Sequence, residues 1–377
     1  MLSPQDWAPV PEAAGVLHVI CEGGPRADEP SRELARVRAA NVLDLVERFT
    51  GLAPAGQVAV YTSYPDLARA ASALGAAVVR TPTADFHFGR TLQDAVRRFR
   101  PEAVLALGGG ACPLFLPEDF AFTYRALRQP ERIVVANAPG SADMVACNHP
   151  HGLLWTELPP IDNSLPRALR ALGYRRVLIP NSGRMHFDLD TPTDAVLLRM
   201  LSPAGPRITP ALAELPWRLP ALDAAVACLR GDRPHVGLFG RVPSDLLAHL
   251  DMAARWRPHV LSEDRGLKAQ GLDGRQVGGL MAALGPERLL DAAVGVCDVV
   301  FFDTRPLAQA WDAGPADRFY SDLGRDDRIG TARLRSFTRR VAASPIPVVL
   351  GGHCLVSGGI WMLSQLTHAE ASGQPVA

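Results

Sequence analysis

Lysine is almost missing from this chain. Lys268 is the only one, so arginine carries nearly all of the 39 basic charges, against 39 acidic ones. Any phosphate contact in the first half must therefore fall to arginine or to backbone N–H groups. The formal charge of zero leaves none of the bulk basicity that marks a nucleic-acid binder. The six cysteines (21, 112, 147, 228, 297, 354) include no Cys-x-x-Cys pair. That pattern excludes a zinc knuckle and a dense disulfide framework, and reads as reduced, mostly buried thiols. No apolar run approaches a membrane span, and no basic segment leads into an apolar core near residue 1. The expected location is the cytoplasm. A Gly-Lys-Ser/Thr phosphate loop, a Gly-x-Gly-x-x-Gly turn and a long internal repeat are also missing.

What is present suits a globular protein, at 47% hydrophobic and 21% charged residues. At 377 residues the chain exceeds the size of one compact core, so two domains are expected. In the first half, apolar runs of strand length alternate with segments of helical period. Strands are expected at 15–21, 57–62, 76–80, 103–107, 132–136 and 176–179. Helices are expected at 31–49, 65–74, 91–99, 117–127 and 165–172. Such alternation implies a mostly parallel sheet covered on both faces. Prolines at 203, 206, 210, 216 and 220 break the pattern. The expected division is 1–202, a proline-rich linker over 203–220, and a second α/β domain over 221–377.

In parallel α/β sheets, ligands collect beyond the carboxyl ends of the strands. Three segments fall there in the first half. Glu22-Gly23-Gly24-Pro25-Arg26 follows the first strand, and its glycines would let backbone N–H groups approach a phosphate, with Arg26 or Arg32 adding charge. Gly108-Gly109-Gly110 follows the fourth strand, where consecutive glycines point to close approach by a ligand or another segment. Third, Asp188-Leu189-Asp190-Thr191-Pro192 places two carboxylates on one face of an extended segment, just before a helix capped by Thr191. Neighbouring carboxylates repel unless a cation separates them, and magnesium carrying a nucleotide phosphate is one such cation.

These pieces, with Gly89-Arg90-Thr91-Leu92 between them, occur in an order that resembles the MobA-like nucleotidyltransferases. The likeness is to the branch containing 2-phospholactate guanylyltransferase, and it runs over about residues 15–201. It implies a glycosyltransferase-A-like, Rossmann-like three-layer α/β domain, followed here by a second, smaller α/β domain. It also implies transfer of a nucleotidyl group from an NTP to a small phosphorylated or acidic acceptor, with Mg²⁺. Asp188 and Asp190 take the metal and catalytic positions; Gly23, Gly24, Arg26 and Gly108 to Gly110 take the nucleotide. The expected partners are these small molecules, with neither nucleic acid nor membrane, and a homodimer is allowed.

The chain departs from the family at two places. The family's Gly-Asp-x-Pro falls on Gly110-Ala111-Cys112-Pro113, so the strand-four metal acid is replaced by Ala111. A lysine expected after Arg26 is also missing. Asp143 or Asp85 would have to supply the carboxylate. The alternative is a catalytically degenerate nucleotide- or metabolite-binding protein that kept the fold. His149, His151, Glu157 and His186 form a weaker group that reads as polar loop residues. In the second half, Ser262–Lys268, Asp303-Thr304-Arg305 and Gly351-Gly352-His353 end strands and would line another crevice, so a separate site around Asp303, Arg305 and His353 is a third reading.

Overall fold

The computed structural model describes residues 10–52, 57–82, 86–138, 142–202, 205–253, 255–263 and 279–372. It falls into two compact units. The first holds Met1–Ala27, Ala35–Asp188 and Pro203–Glu214; the second holds Asp28–Leu34, Leu189–Ser202 and Leu215–Ala377. Asp188 and Asp190 therefore belong to different units. Asp85, Ser141 and the 264–268 part of the second-half charged loop lie outside the described residues.

The sheet of the first unit has seven strands: β1 (Val16–Glu22), β2 (Val58–Thr62), β3 (Ala77–Arg80), β4 (Ala103–Gly108), β5 (Ile133–Ala136), β6 (Met144–Asn148) and β7 (Arg175–Leu178). Their order is β3-β2-β1-β4-β6-β5-β7. All neighbours are parallel except β6, which runs antiparallel to both β4 and β5. The helices of this stretch are α1 (Glu29–Leu52), α2 (Pro65–Ala73), α3 (Phe88–Phe99), α4 (Pro117–Leu127) and α5 (Leu165–Ala171). Alternation along β1 separates two cores. Val16 and Ile20 join Leu45, Phe49 and Phe120 of α1 and α4, while Leu17, Val19 and Cys21 join Leu92, Ala95 and Leu165 of α3 and α5. The result is the three-layer α/β arrangement expected of a glycosyltransferase-A-like domain. His18 sits in the first core, stacked on Phe49 and hydrogen-bonded through Nε2 to Tyr124 Oη at 2.8 Å.

Downstream, α6 (Pro192–Leu201) belongs to the second unit and α7 (Ile208–Ala213) to the first. The 203–220 stretch thus carries a helix, and Asp44 receives the N–H groups of Arg207 and Ile208 at its start. The second unit continues with α8 (Pro220–Leu229), β8 (His235–Gly240), α9 (Ser244–Ala253), β9 (Arg257–Ser262), α10 (Gly279–Leu284), α11 (Pro286–Val294), β10 (Val299–Asp303), α12 (Arg305–Ala310), α13 (Pro315–Asp322), α14 (Ala332–Ala342), β11 (Val348–Gly351) and α15 (Gly358–Ser372). Its four strands are all parallel, in the order β11-β10-β8-β9. Val300, Phe302 and Leu350 pack with Phe337 in its core. Among the described residues no helix is long and apolar enough to cross a membrane.

Candidate functional site

A cavity of about 400 Å³ opens in the first unit, over the carboxyl ends of β1 to β4. Strand order reverses between β1 and β4, since β2 and β3 lie to one side of β1 and β4 to the other. This is the switch point where open α/β sheets hold ligands. The polar part of the wall includes Glu22, Arg38, Ser63 and Asp162; the apolar part includes Phe86, Phe88 and Ile161.

Backbone requirements explain why glycines surround it. Gly23 faces Ser63 so closely that a Cβ would lie 2.8 Å from the hydroxyl, and Gly24 has φ +143°, a conformation costly to any side chain. At Gly109 a Cβ would meet Glu22 Oε2 at 2.1 Å. Glu22 is buried and receives Arg38 Nε at 3.0 Å, so an ion pair forms part of the wall. Gly109 N–H donates to Cys21 O, and Asn41 Nδ2 donates to the carbonyls of Gly109 and Ala111 at 2.9 and 3.1 Å. These bonds fix the turn after β4. Cys112 then takes φ +59°.

The opposite wall is built by the start of α3. Phe88 and Gly89 donate to the carbonyls of Pro160 and Pro159. Only a residue without Cβ fits at 89, where a side chain would come within 2.5 Å of Leu158 Cβ. This docking presents Phe86 and Phe88 beside Ile161 and Asp162. The Ser63 hydroxyl is closed off from solvent and has no hydrogen-bond partner among the described residues. Buried hydroxyls ordinarily find partners, so this one has capacity for a ligand.

Of the residues expected to bind nucleotide, Gly23 and Gly108 line the cavity. Arg26 lies with its guanidinium 3.4 Å over the Tyr64 ring and pairs with Asp66 at 3.2 Å. Asp143 and Asp188 both act electrostatically on the buried Cys112 thiol, as does Asp119. Burial, with these acids next, pushes that thiol far above its usual range, which makes Cys112 inert as a nucleophile. Asp143 N–H and Met144 N–H donate to Asn137 Oδ1. Asp190, assigned to the second unit, has its Oδ2 3.7 Å from Arg305.

Among the described residues, no three His, Cys, Asp or Glu side chains come together as a metal cage. Magnesium asks for less, taking one or two carboxylates with water and substrate phosphates. His149 is exposed and bonds Pro130 O, while His186 meets Asn181 Oδ1 at 2.7 Å.

Arg38, Ser63, Asp162 and Asn41 were not singled out by the sequence. Asn41 alone left a signal, as a lone amide in the apolar stripe formed with Val42 and Leu45.

No protein-family model matches the chain, and no curated protein matches it. Solved structures that align include a putative nucleotide-diphospho-sugar transferase from Desulfovibrio desulfuricans, at 14% identity over 53% of this chain and 95% of that one, with a TM-score of 0.39. A cytidylyltransferase from Leptospira borgpetersenii aligns at 15% identity over 49% and 85%, TM-score 0.37. A nucleotidyl transferase from Methanothermobacter aligns at 18% identity over 49% and 96%, TM-score 0.36.

Proposed function

We propose that the first unit is a nucleotide-binding, nucleotidyltransferase-like domain whose ligand enters the cavity over β1 to β4. The observation that carries this reading is the cavity's composition at the switch point. Aromatic and aliphatic side chains suit a flat base, while Ser63, Asp162 and the glycine-walled strand ends supply hydrogen-bonding groups and space for backbone approach. In the transfer reaction, an acceptor phosphate or carboxylate oxygen attacks the α-phosphorus of an NTP. The bond to the β-phosphate oxygen breaks and pyrophosphate leaves. Asp143 and Asp188, which do not line the cavity but both act on Cys112 in the turn after β4, are the carboxylates that would hold magnesium, and the ion would supply charge neutralisation on the phosphates. Gly23 and Gly24 leave room for the phosphates, and Arg26 lies on the same loop.

The test is thermal unfolding of the full chain with GTP, CTP, ATP and UTP, each with Mg²⁺ and with EDTA. A ligand that binds only the folded state raises its stability, so at least one nucleotide should raise Tm by several degrees. Gly23→Ala puts a Cβ 2.8 Å from the Ser63 hydroxyl and should reduce that shift, with the ligand-free Tm of the variant measured beside it. A flat panel removes the nucleotide reading. Release of pyrophosphate with an acidic or phosphorylated acceptor, lost in Asp188→Asn, supports transfer.

A second reading has its own observation. Ala111, buried at the end of the β4 turn, stands where the family carries its metal acid. A ligand-binding protein without transfer activity would show stabilisation independent of magnesium and no pyrophosphate.

A further inference from the structure

A second cavity, of about 450 Å³, lies wholly within the second unit. It is a groove walled by the start of α8, the end of α13, α14 and the strand β11. β11 is an edge strand, with β10 as its one neighbour in the sheet. The side chains of Leu219, Leu222, Val341, Ile346, Val348 and Leu350 make most of the wall apolar. Pro345 and Pro347 flank Ile346 just ahead of β11, and neither has an N–H to offer a further strand. The volume falls in the range of small-molecule sites.

The other polar side chains of the wall are spent on the protein itself. Thr338 Oγ1 donates to Leu334 O at 2.8 Å, so Ser321 is the donor in the 2.7 Å bond between the two hydroxyls. Ser344 Oγ accepts from Ile346 N–H at 3.3 Å. Asp322 takes the Thr304 hydroxyl at 2.9 Å, and burial pushes its pKa up to about 7, so it carries less than a full charge at neutral pH. Among the residues of this wall Arg218 is the one cation. It is exposed, and its Nη1 donates to the carbonyls of Leu215 and Trp217 at 3.4 and 3.0 Å. Among the described residues its Nε and Nη2 make no hydrogen bond and it forms no ion pair. Arg199 donates to the same two carbonyls. Burial and then Arg218 hold the Arg199 guanidinium below its usual range, with Asp223 opposing them. Backbone oxygens thus fix the Arg218 guanidinium beside an apolar groove, and no carboxylate of the chain is paired with it.

Such a groove suits a molecule with an aliphatic body and one anionic end. The tail takes apolar wall out of water, and the planar donor fork of arginine matches a carboxylate. A polyanion would find no second cation in the wall. We propose that the groove binds an amphipathic carboxylate, with its tail against α8, α14 and β11 and its carboxylate on Arg218. This site is independent of the nucleotide reading of the first unit.

The test is calorimetric titration of the full chain with hexanoate, octanoate and decanoate, each below the concentration at which it forms micelles, and with octanol as the neutral control. Affinity should rise about fourfold per added methylene, and octanoate should bind about tenfold more tightly than octanol. Arg218→Gln should remove that preference for the carboxylate. Ala224→Phe, which puts a ring into the groove wall, should weaken the whole series. Both positions are exposed, and the unfolding midpoint of each ligand-free variant shows that it has folded. No saturable binding at any chain length, or equal affinity for octanoate and octanol, overturns the proposal. Binding that neither substitution alters overturns it as well, because the ligand would then sit elsewhere.

Discussion

Gly109 shows how much of the first-unit site rests on single atoms. A methyl there would run into Glu22 Oε2 and, at 2.9 Å, Val42 Cγ2. Neither neighbour moves freely, since Glu22 is paired with Arg38 and Val42 is fully buried. Gly109→Ala should therefore cost about 1–3 kcal/mol, as overpacking does, read as a lower denaturant midpoint at unchanged slope. Titration adds a second prediction at this scale. Burial pushes Asp322 up to about 7 and Asp194, with Asp190 as the next cause, up to about 8. An acid whose folded pKa is raised contributes stability that is lost as pH rises toward that value. His18 works the other way: burial pushes it down to about 4, so its effect falls below pH 6.5. Between pH 6.5 and 8 the two aspartates dominate this balance, and Tm should fall as pH rises. Asp322→Asn should flatten that slope; an unchanged slope would remove Asp322 as a cause.

At the scale of elements, glycines and prolines were legible and convergence was not. The turns after β1 and β4 announced themselves because glycine punctuates a strand end wherever it falls. Gly89 was visible as part of a motif, but its cause was not. It permits α3 to dock its first residues on Pro159 and Pro160, and so shapes the cavity wall. Gly89→Ala should lower both the unfolding midpoint and the nucleotide-dependent shift, and loss of the first alone would mean that the wall does not touch ligand. Strand β6 went unread, being a five-residue apolar run, Met-Val-Ala-Cys-Asn, too short for periodicity to separate from a loop. α13 and α15 were missed as well. α15 opens on Gly358-Gly359, which reads as a turn, whereas a Cβ at Gly359 would stand 3.0 Å from Leu197 Cδ1 and from Cys354 O. Ser63, Arg38 and Asp162 come from three separate segments, and only the sheet order brings them to one cavity.

For the whole molecule, the sequence indicated two domains but not the path between them. The proline-rich stretch looked like a single crossing, yet the chain is shared among segments of both units. A fragment of residues 1–202 would keep α6, whose Thr193 hydroxyl donates to Leu350 O at 2.7 Å and whose Thr191 packs on Gly352. The same fragment would lose α7, which Asp44 caps in the first unit. Residues 1–202 and 203–377 made separately should each be less soluble and less stable than the full chain, and co-expression should rescue both. Two separately stable fragments with additive unfolding profiles would contradict this.

That interleaving has a consequence for how the protein is made. Domains generally fold in the order in which they leave the ribosome, but here synthesis does not deliver the units one after the other. The first unit lacks its last segment until Glu214 has emerged, while Asp28–Leu34 and Leu189–Ser202 must wait for Leu215–Ala377. During that interval the apolar side chains of the early second-unit segments, Leu34 and Leu197 among them, have no finished core to enter. The nascent chain should depend on chaperones for its whole length, and a stalled chain ending near residue 215 should be far more sensitive to protease than the released protein.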